Sequence, residues 1–206
     1  RSPGVSPNMC GIAGWIDLKR ATPQGELEAV AGRMADALAH RGPDDRGTWA
    51  DAAAGVGFGF RRLAIVDLSQ EGRQPMVSAD GRRVIVFNGE VYNHARLRTE
   101  LEAGGARFRG HSDTEVMLAA ISRWGLPEAV RRFIGIFAFA LWDREEDHLH
   151  LVRDPVGVKP LYWARAGETL LFGSELKALR AHPAFTAVPD RGALALFMRY
   201  GYIEAP

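Results

Sequence analysis

Phe133-Ile134-Gly135-Ile136-Phe137-Ala138-Phe139-Ala140-Leu141-Trp142 is the longest apolar run in the chain, ten residues with one glycine inside. A helix needs about 20 apolar residues to cross a bilayer, so no membrane span is expected and this run belongs inside a fold. Its length and aromatic content read as a β-strand buried on both faces. Asp143 to Asp147 follows as a polar turn, and Leu149 to Val152 reads as the return strand.

Upstream of this hairpin lie two helices. Ser112 to Trp124 opens on Ser112-Asp113-Thr114-Glu115, the spacing of a capping box, which satisfies the free N–H groups of a helix start. Gly125 closes that helix, and Pro127 is expected to prevent its return. Val91 to Ala103 carries Leu97 and Leu101 and ends at Gly104-Gly105. Before them, Arg83 to Phe87 reads as a short strand stopped by Asn88-Gly89. Val56 to Phe60 and Leu63 to Val66 read as strand, with Gly55, Gly57 and Gly59 marking close backbone approaches. Residues 26–39 form an amphipathic helix with Leu27, Val30, Met34 and Leu38 on one face. His40 to Asp45 is a loop, and Cys10 to Ile16 is the first strand. Downstream, Leu161 to Ala164 and Thr169 to Phe172 suggest a second hairpin, with short helices at Ser174 to Arg180 and Asp190 to Tyr200. Helices between two blocks of strands imply an α+β fold of layered sheets covered by helices. Regular βαβ alternation is missing. Gly55-Val56-Gly57-Phe58-Gly59 is no dinucleotide fingerprint, since Phe60 stands where a glycine is needed and no helix follows.

The composition is that of a globular protein. The chain has 206 residues, with 26 Lys+Arg against 25 Asp+Glu and 47% hydrophobic residues. A near-neutral balance gives no strong pull on a phosphate backbone, so no nucleic-acid partner is expected. The apolar content excludes intrinsic disorder. The single cysteine, Cys10, allows no internal disulfide, which makes a reducing compartment the simplest home. The leading RSPGVSPN lacks the layout of a signal peptide, and a cytoplasmic location is expected. The histidines and Cys10 show no metal-ligand spacing, so no metal is expected.

Several residues could carry chemistry. A lone cysteine is usually a small buried hydrophobe. Cys10, however, directly follows a start-like Met9. With Met9 removed it would carry a free α-amino group, whose pKa lies near 8, and one residue would then supply both nucleophile and base. Asn88-Gly89 is either a plain turn or an oxyanion hole, in which an Asn side-chain N–H and a Gly backbone N–H converge on one oxygen. Arg61-Arg62, at the head of an apolar strand, offers either surface arginines or a grip on a substrate carboxylate. Asp113 is favoured at a helix start by the helix dipole and could equally hold an ammonium. Arg41 to Asp45 is a simple turn or a mobile active-site loop.

Taken in order, the motifs resemble the glutamine-hydrolysing domain of a class II amidotransferase, an N-terminal-nucleophile hydrolase. They are Met9-Cys10-Gly11-Ile12, Arg41-Gly42-Pro43-Asp44-Asp45, Arg62-Leu63-Ala64-Ile65-Val66-Asp67 and Gln74-Pro75-Met76. Then follow Phe87-Asn88-Gly89-Glu90-Val91-Tyr92-Asn93, Ser112-Asp113-Thr114-Glu115, Arg153-Asp154-Pro155-Val156-Gly157-Val158-Lys159-Pro160-Leu161-Tyr162 and Phe172-Gly173-Ser174-Glu175-Leu176-Lys177-Ala178-Leu179. Within the class, Arg-Gly-Pro-Asp-Asp and Lys-Pro-Leu-Tyr resemble asparagine synthetases.

The resemblance implies a four-layer αββα sandwich of two mainly antiparallel sheets. It implies that Cys10 attacks the side-chain amide of L-glutamine, with Asn88 and Gly89 stabilising the oxyanion. Arg62 would bind the substrate carboxylate, Asp113 assisted by Glu90 would bind its ammonium, and backbone groups of Ile65 and Val66 would line the pocket. The domain itself would need no cofactor. ATP and Mg²⁺ would serve a synthetase domain, whose pyrophosphate-cradling SGGxDS loop does not occur here. By this reading residues 1–9 are a tail, a tag remnant, a misread start or a propeptide. Residues 10–187 are the amidotransferase domain, and 188–206 begin a linker to a synthetase domain. The expected partners are L-glutamine and that synthetase domain, with a homodimer left open. Two other readings stand beside it: an N-terminal-nucleophile amidase for another amide, and a non-catalytic module of the same fold.

Overall fold

The computed structural model describes residues 9–63 and 72–203. Two antiparallel sheets form its centre. In the first, β1 (Gly11–Asp17) lies between β3 (Val56–Arg62) and β9 (Thr169–Gly173). β2 (Asp45–Asp51) flanks β3, and β8 (Tyr162–Ala166) flanks β9. The second sheet has the order β4 (Met76–Val77), β5 (Arg83–Val91), β6 (Gly135–Asp143), β7 (His148–Arg153).

Side-chain alternation sorts these strands into layers. On β1, Ile12 and Ile16 point into the space between the sheets, where they join Phe58, Val84, Val86, Ala140, Trp142 and Phe172. Ala13 and Trp15 point the other way, onto Leu27, Val30, Ala31 and Met34 of α1 (Gln24–Asp36) and onto Ala178 and Leu179 of α5 (Leu176–Arg180). β6 divides in the same manner. Its Ala140 and Trp142 face the first sheet, while Phe137, Phe139 and Leu141 face α2 (His94–Ala103), α3 (Asp113–Trp124) and α4 (Leu126–Arg132). The apolar run is thus buried on both sides, and the fold is the αββα sandwich. Truncating a fully buried Phe139 would cost about 3–5 kcal/mol. The expected close approaches on β3 are present: a Cβ at Gly59 would lie 2.3 Å from the carbonyl oxygen of Ala31, so α1 rests on bare backbone.

The structure departs from the sequence reading at several points. β5 does not stop at Asn88-Gly89 but runs on to Val91, paired with β6 down to Val91↔Gly135. α2 accordingly starts at His94. Chain after Gly125 is helical again, because Pro127 sits in the first turn of α4, where no backbone N–H is needed. β2 is a strand that the polar run Asp45–Asp51 did not announce, held by pairing with β3 from Asp45↔Arg62 to Asp51↔Val56. The capping box on α3 is half built. Ser112 Oγ accepts from Glu115 N–H, but the Glu115 carboxylate takes the N–H groups of Arg109 and Gly110. α6 (Arg191–Tyr200) is a helix with no buried residue. Among the described residues no helix is long and apolar enough to cross a membrane.

Candidate active site

A cleft of about 330 Å³ opens where the start of β1, the ends of β3 and β5 and the start of α3 come together. Cys10, Arg62, Asn88, Gly89, Glu90 and Asp113 all line it. Residues spread over a hundred positions of sequence are therefore gathered at one place. Ile65 and Val66 lie outside the described residues.

Cys10 is held from three sides. Its thiol donates to the Leu63 carbonyl at 3.7 Å, and the Leu63 N–H donates back to Sγ at 3.4 Å. Arg41 Nε donates to the Cys10 carbonyl at 3.1 Å. Two residues on, Ile12 N–H donates to Ser174 Oγ at 3.0 Å, and Ser174 N–H returns to the Ile12 carbonyl at 2.8 Å. Burial pushes the Cys10 thiol up from its ordinary value. The Leu63 N–H, Arg62 and Lys159 pull it down, and Asp113 pushes it up again. Arg41 to Asp45 is neither a plain turn nor a free loop at its first residue: Arg41 is buried, and its Nη1 meets Glu175 at 2.9 Å. Burial alone would raise Glu175, but hydrogen bonds from Lys177, Arg41 and His40 outweigh it and bring the carboxyl to about 2.

Asn88 is 1% exposed, and its Nδ2 has no hydrogen-bond partner among the described residues. Leaving a buried donor unmade costs about 1–3 kcal/mol, so a fold retains one where a ligand supplies the acceptor. Gly89 follows with φ 151°, and a Cβ there would lie 2.2 Å from the Ile136 carbonyl oxygen. Only glycine fits this stretch of β5. Asp113, the first residue of α3, accepts from Val91 N–H at 3.0 Å. Burial raises its carboxyl, the Val91 N–H and His94 lower it, and Glu90 raises it. Arg62 ends β3 and is 8% exposed. An arginine and two carboxylates thus share a cleft with a thiol and an unmet amide donor.

Two residues that sequence reasoning left without a role belong here. Gln74 is buried beneath the cleft. Its Oε1 accepts from Phe87 N–H at 2.6 Å, and its Nε2 donates to Thr114 Oγ1 at 3.3 Å, which joins β5 to α3. Lys159 lines the same cleft. Both stood inside quoted motifs, but a glutamine in a loop and a lysine before a strand carry no local signal. A larger hollow of about 730 Å³, between β4 and the α2–α3 connection, contains none of the residues singled out for chemistry.

Residues 9–206 match the family described as a glutamine amidotransferase domain. The chain belongs to this family. The amidotransferase domain is 42% identical over 200 residues to asparagine synthetase [glutamine-hydrolyzing] 3 of Bacillus subtilis, covering 96% of this chain and 32% of that protein. Asparagine synthetase [glutamine-hydrolyzing] 1 of the same organism is 38% identical, covering 96% of this chain and 30% of the relative. The amidotransferase domain therefore spans about a third of the length of these relatives. Among solved structures, the glutamine phosphoribosylpyrophosphate amidotransferase of B. subtilis, complexed with ADP and GMP, superposes with a TM-score of 0.69 at 22% identity. That match covers 84% of this chain and 43% of the other, and it supports the fold.

Proposed function

We propose that this domain hydrolyses L-glutamine to glutamate and ammonia through a thioester on Cys10, and that the ammonia feeds an ATP-dependent synthetase unit of asparagine-synthetase type. The observation that carries the reading is the buried Nδ2 of Asn88, without a partner among the described residues, in the same cleft as the Cys10 thiol. An acyl transfer at that thiol needs a donor that becomes fully engaged only when a carbonyl oxygen turns into an oxyanion.

The substrate is a free amino acid with one anion, one cation and one amide. Arg62 takes the α-carboxylate, and Asp113 with Glu90 takes the α-ammonium. The amide then lies against Cys10. The Cys10 α-amine, exposed once the preceding residues are removed, accepts the thiol proton. Sulfur attacks the amide carbon, and a C–S bond forms as the carbonyl electrons move onto oxygen. Asn88 Nδ2 and the Gly89 N–H stabilise that oxyanion. The amine returns its proton to the leaving nitrogen, the C–N bond breaks and ammonia departs. Water, deprotonated by the same amine, attacks the thioester, the C–S bond breaks and glutamate leaves. None of these steps calls on a cofactor; ATP and Mg²⁺ belong to the synthetase unit.

Glutamate release by a chain beginning at Cys10 tests this reading. Arg62→Ala and Asp113→Asn are expected to raise KM for glutamine by about tenfold or more, since each removes a charge-assisted contact of about 1.5–3 kcal/mol. Turnover of acylated amines in preference to glutamine, insensitive to Arg62→Ala, would instead indicate an amidase for another amide.

A further inference from the structure

Beside the Cys10 nucleophile stands a cation that the scheme above does not use. In the chain that still carries Met9, Lys159 Nζ donates to Met9 Sδ at 2.9 Å, and the carbonyl carbon of Met9 is bonded to the Cys10 nitrogen; removal of Met9 takes this acceptor away and leaves the ammonium in the cleft with Cys10. Lys159 also lines the same cleft as Cys10, Asn88 and Asp113.

The loop beneath Lys159 is built to hold its backbone still. Asp154, only 4% exposed, accepts from Val158 N–H at 3.0 Å, from Lys159 N–H at 3.1 Å and from Phe137 N–H of β6 at 3.2 Å. Arg153 Nε donates to the Lys159 carbonyl at 2.7 Å, and its Nη2 donates to the Gly157 carbonyl. Two neighbouring side chains thus hold residues 154–159 and tie them to β6.

The charged groups around Cys10 come from four places. Arg62 at the end of β3 and Lys159 on its loop are cationic, and Asp113 at the head of α3 is anionic. Arg41 contacts the Cys10 carbonyl from behind. Glu90, His94 and His111 complete the cleft on the Asp113 side. When glutamine binds, Arg62 is matched by the substrate carboxylate, whereas the Lys159 charge remains for the nucleophile. A nearby positive charge lowers the proton affinity of a thiol and of an amine alike.

We propose that Lys159 sets the charge state of the nucleophile, its ammonium favouring the Cys10 thiolate and keeping the α-amine in its neutral, proton-accepting form. It acts through Cys10 and not on the substrate. The inference rests on the nucleophile assigned under the proposed function, but not on which amide is cleaved.

Cys10 is the only cysteine, so iodoacetamide reads this thiol alone. The test is the alkylation rate against pH for the full chain, its Lys159→Gln variant and its Lys159→Arg variant. Lys159→Gln is expected to move the midpoint up, with alkylation about twofold slower on the acidic side. Lys159→Arg is expected to restore it. A midpoint unmoved in Lys159→Gln overturns the proposal. Glutamate release by chains beginning at Cys10 adds a second reading. The acidic limb of kcat/KM should shift upward in Lys159→Gln, with KM within about twofold of wild type. A raised KM with the limb in place would make Lys159 a substrate contact and would also overturn it. If alkylation shifts as expected while the wild-type chain leaves glutamine intact, the glutaminase reading fails and the role of Lys159 stands.

Discussion

Arg41 Nε donates to the carbonyl oxygen of Cys10 at 3.1 Å while Nη1 of the same guanidinium meets Glu175 at 2.9 Å. One planar group thus fixes the backbone of the nucleophile to the start of α5, across 134 residues of sequence on one arm. Arg41→Ala is expected to destabilise the domain by about 2 kcal/mol, the worth of a charged hydrogen bond lost from a buried site. Urea denaturation reads that change. Because Cys10 loses its seat, kcat for glutamate release should fall by more than KM rises. Unchanged kcat in a destabilised variant would reduce Arg41 to a purely structural tie.

The unmet donor on Asn88 gives a sharper expectation. Asn88→Ala should lower kcat by about 10²–10³ and leave KM near its wild-type value, since the donor is engaged chiefly by the oxyanion. Stability should change by no more than about 1 kcal/mol, because Nδ2 makes no bond among the described residues. A large loss of stability with kcat preserved would show that the side chain serves the fold.

Gly89 constrains the same stretch through its backbone. A Cβ placed there would lie 2.2 Å from the Ile136 carbonyl oxygen and 2.6 Å from Phe137 Cα, on a residue with φ 151°. Gly89→Ala is expected to destabilise by about 3 kcal/mol and to disturb the β5–β6 pairing at Gly89↔Phe137. Amide hydrogen exchange along β6 would register this as lost protection around Phe137. Wild-type protection there would mean that the β5–β6 pairing absorbs the added methyl group.

His182 makes stability depend on pH. Its ring lies edge-on to Trp15 with centroids 4.5 Å apart, and Ala184 N–H donates to Nδ1 at 3.1 Å. The remaining proton therefore sits on Nε2, which is buried without a partner among the described residues. Burial, and then the charge of Arg33, bring its pKa down from 6.5 to about 4. The unfolded chain thus binds a proton that the folded one refuses. Stability from this group is full above pH 6.5, declines as pH falls toward about 4, and declines no further below that. Urea midpoints across this window should fall less in His182→Asn, which keeps an acceptor for Ala184 but cannot ionise. Equal declines in the two proteins would remove His182 as the cause.

Much of the fold could be read along the chain because its determinants are local. The helix at 26–39 follows from Leu27, Val30, Met34 and Leu38 at helical spacing, and α3 starts where Ser112 can cap it. The run ending at Trp142 is a two-sided strand because apolar side chains at every position need cover on both faces. Chemistry was legible where a residue type is informative by itself: the only cysteine, a glycine after an asparagine, an arginine heading an apolar stretch. Motif order then identified the family.

Other features were settled by partners far away in sequence. Asp45–Asp51 became a strand because β3 offered an open edge, and Asn88-Gly89 stayed extended because β6 lay alongside. Gln74, Arg41 and Lys159 took their places from contacts with Phe87, with Cys10 and with the loop clamped by Asp154. The sequence by itself determined the layers and supplied the reactive groups, since helix and strand patterning acts over a few residues at a time. Only the tertiary structure decided which charges surround the thiol and which buried donor is left unmet, because electrostatics and hydrogen bonding depend on distance through space and not on position along the chain.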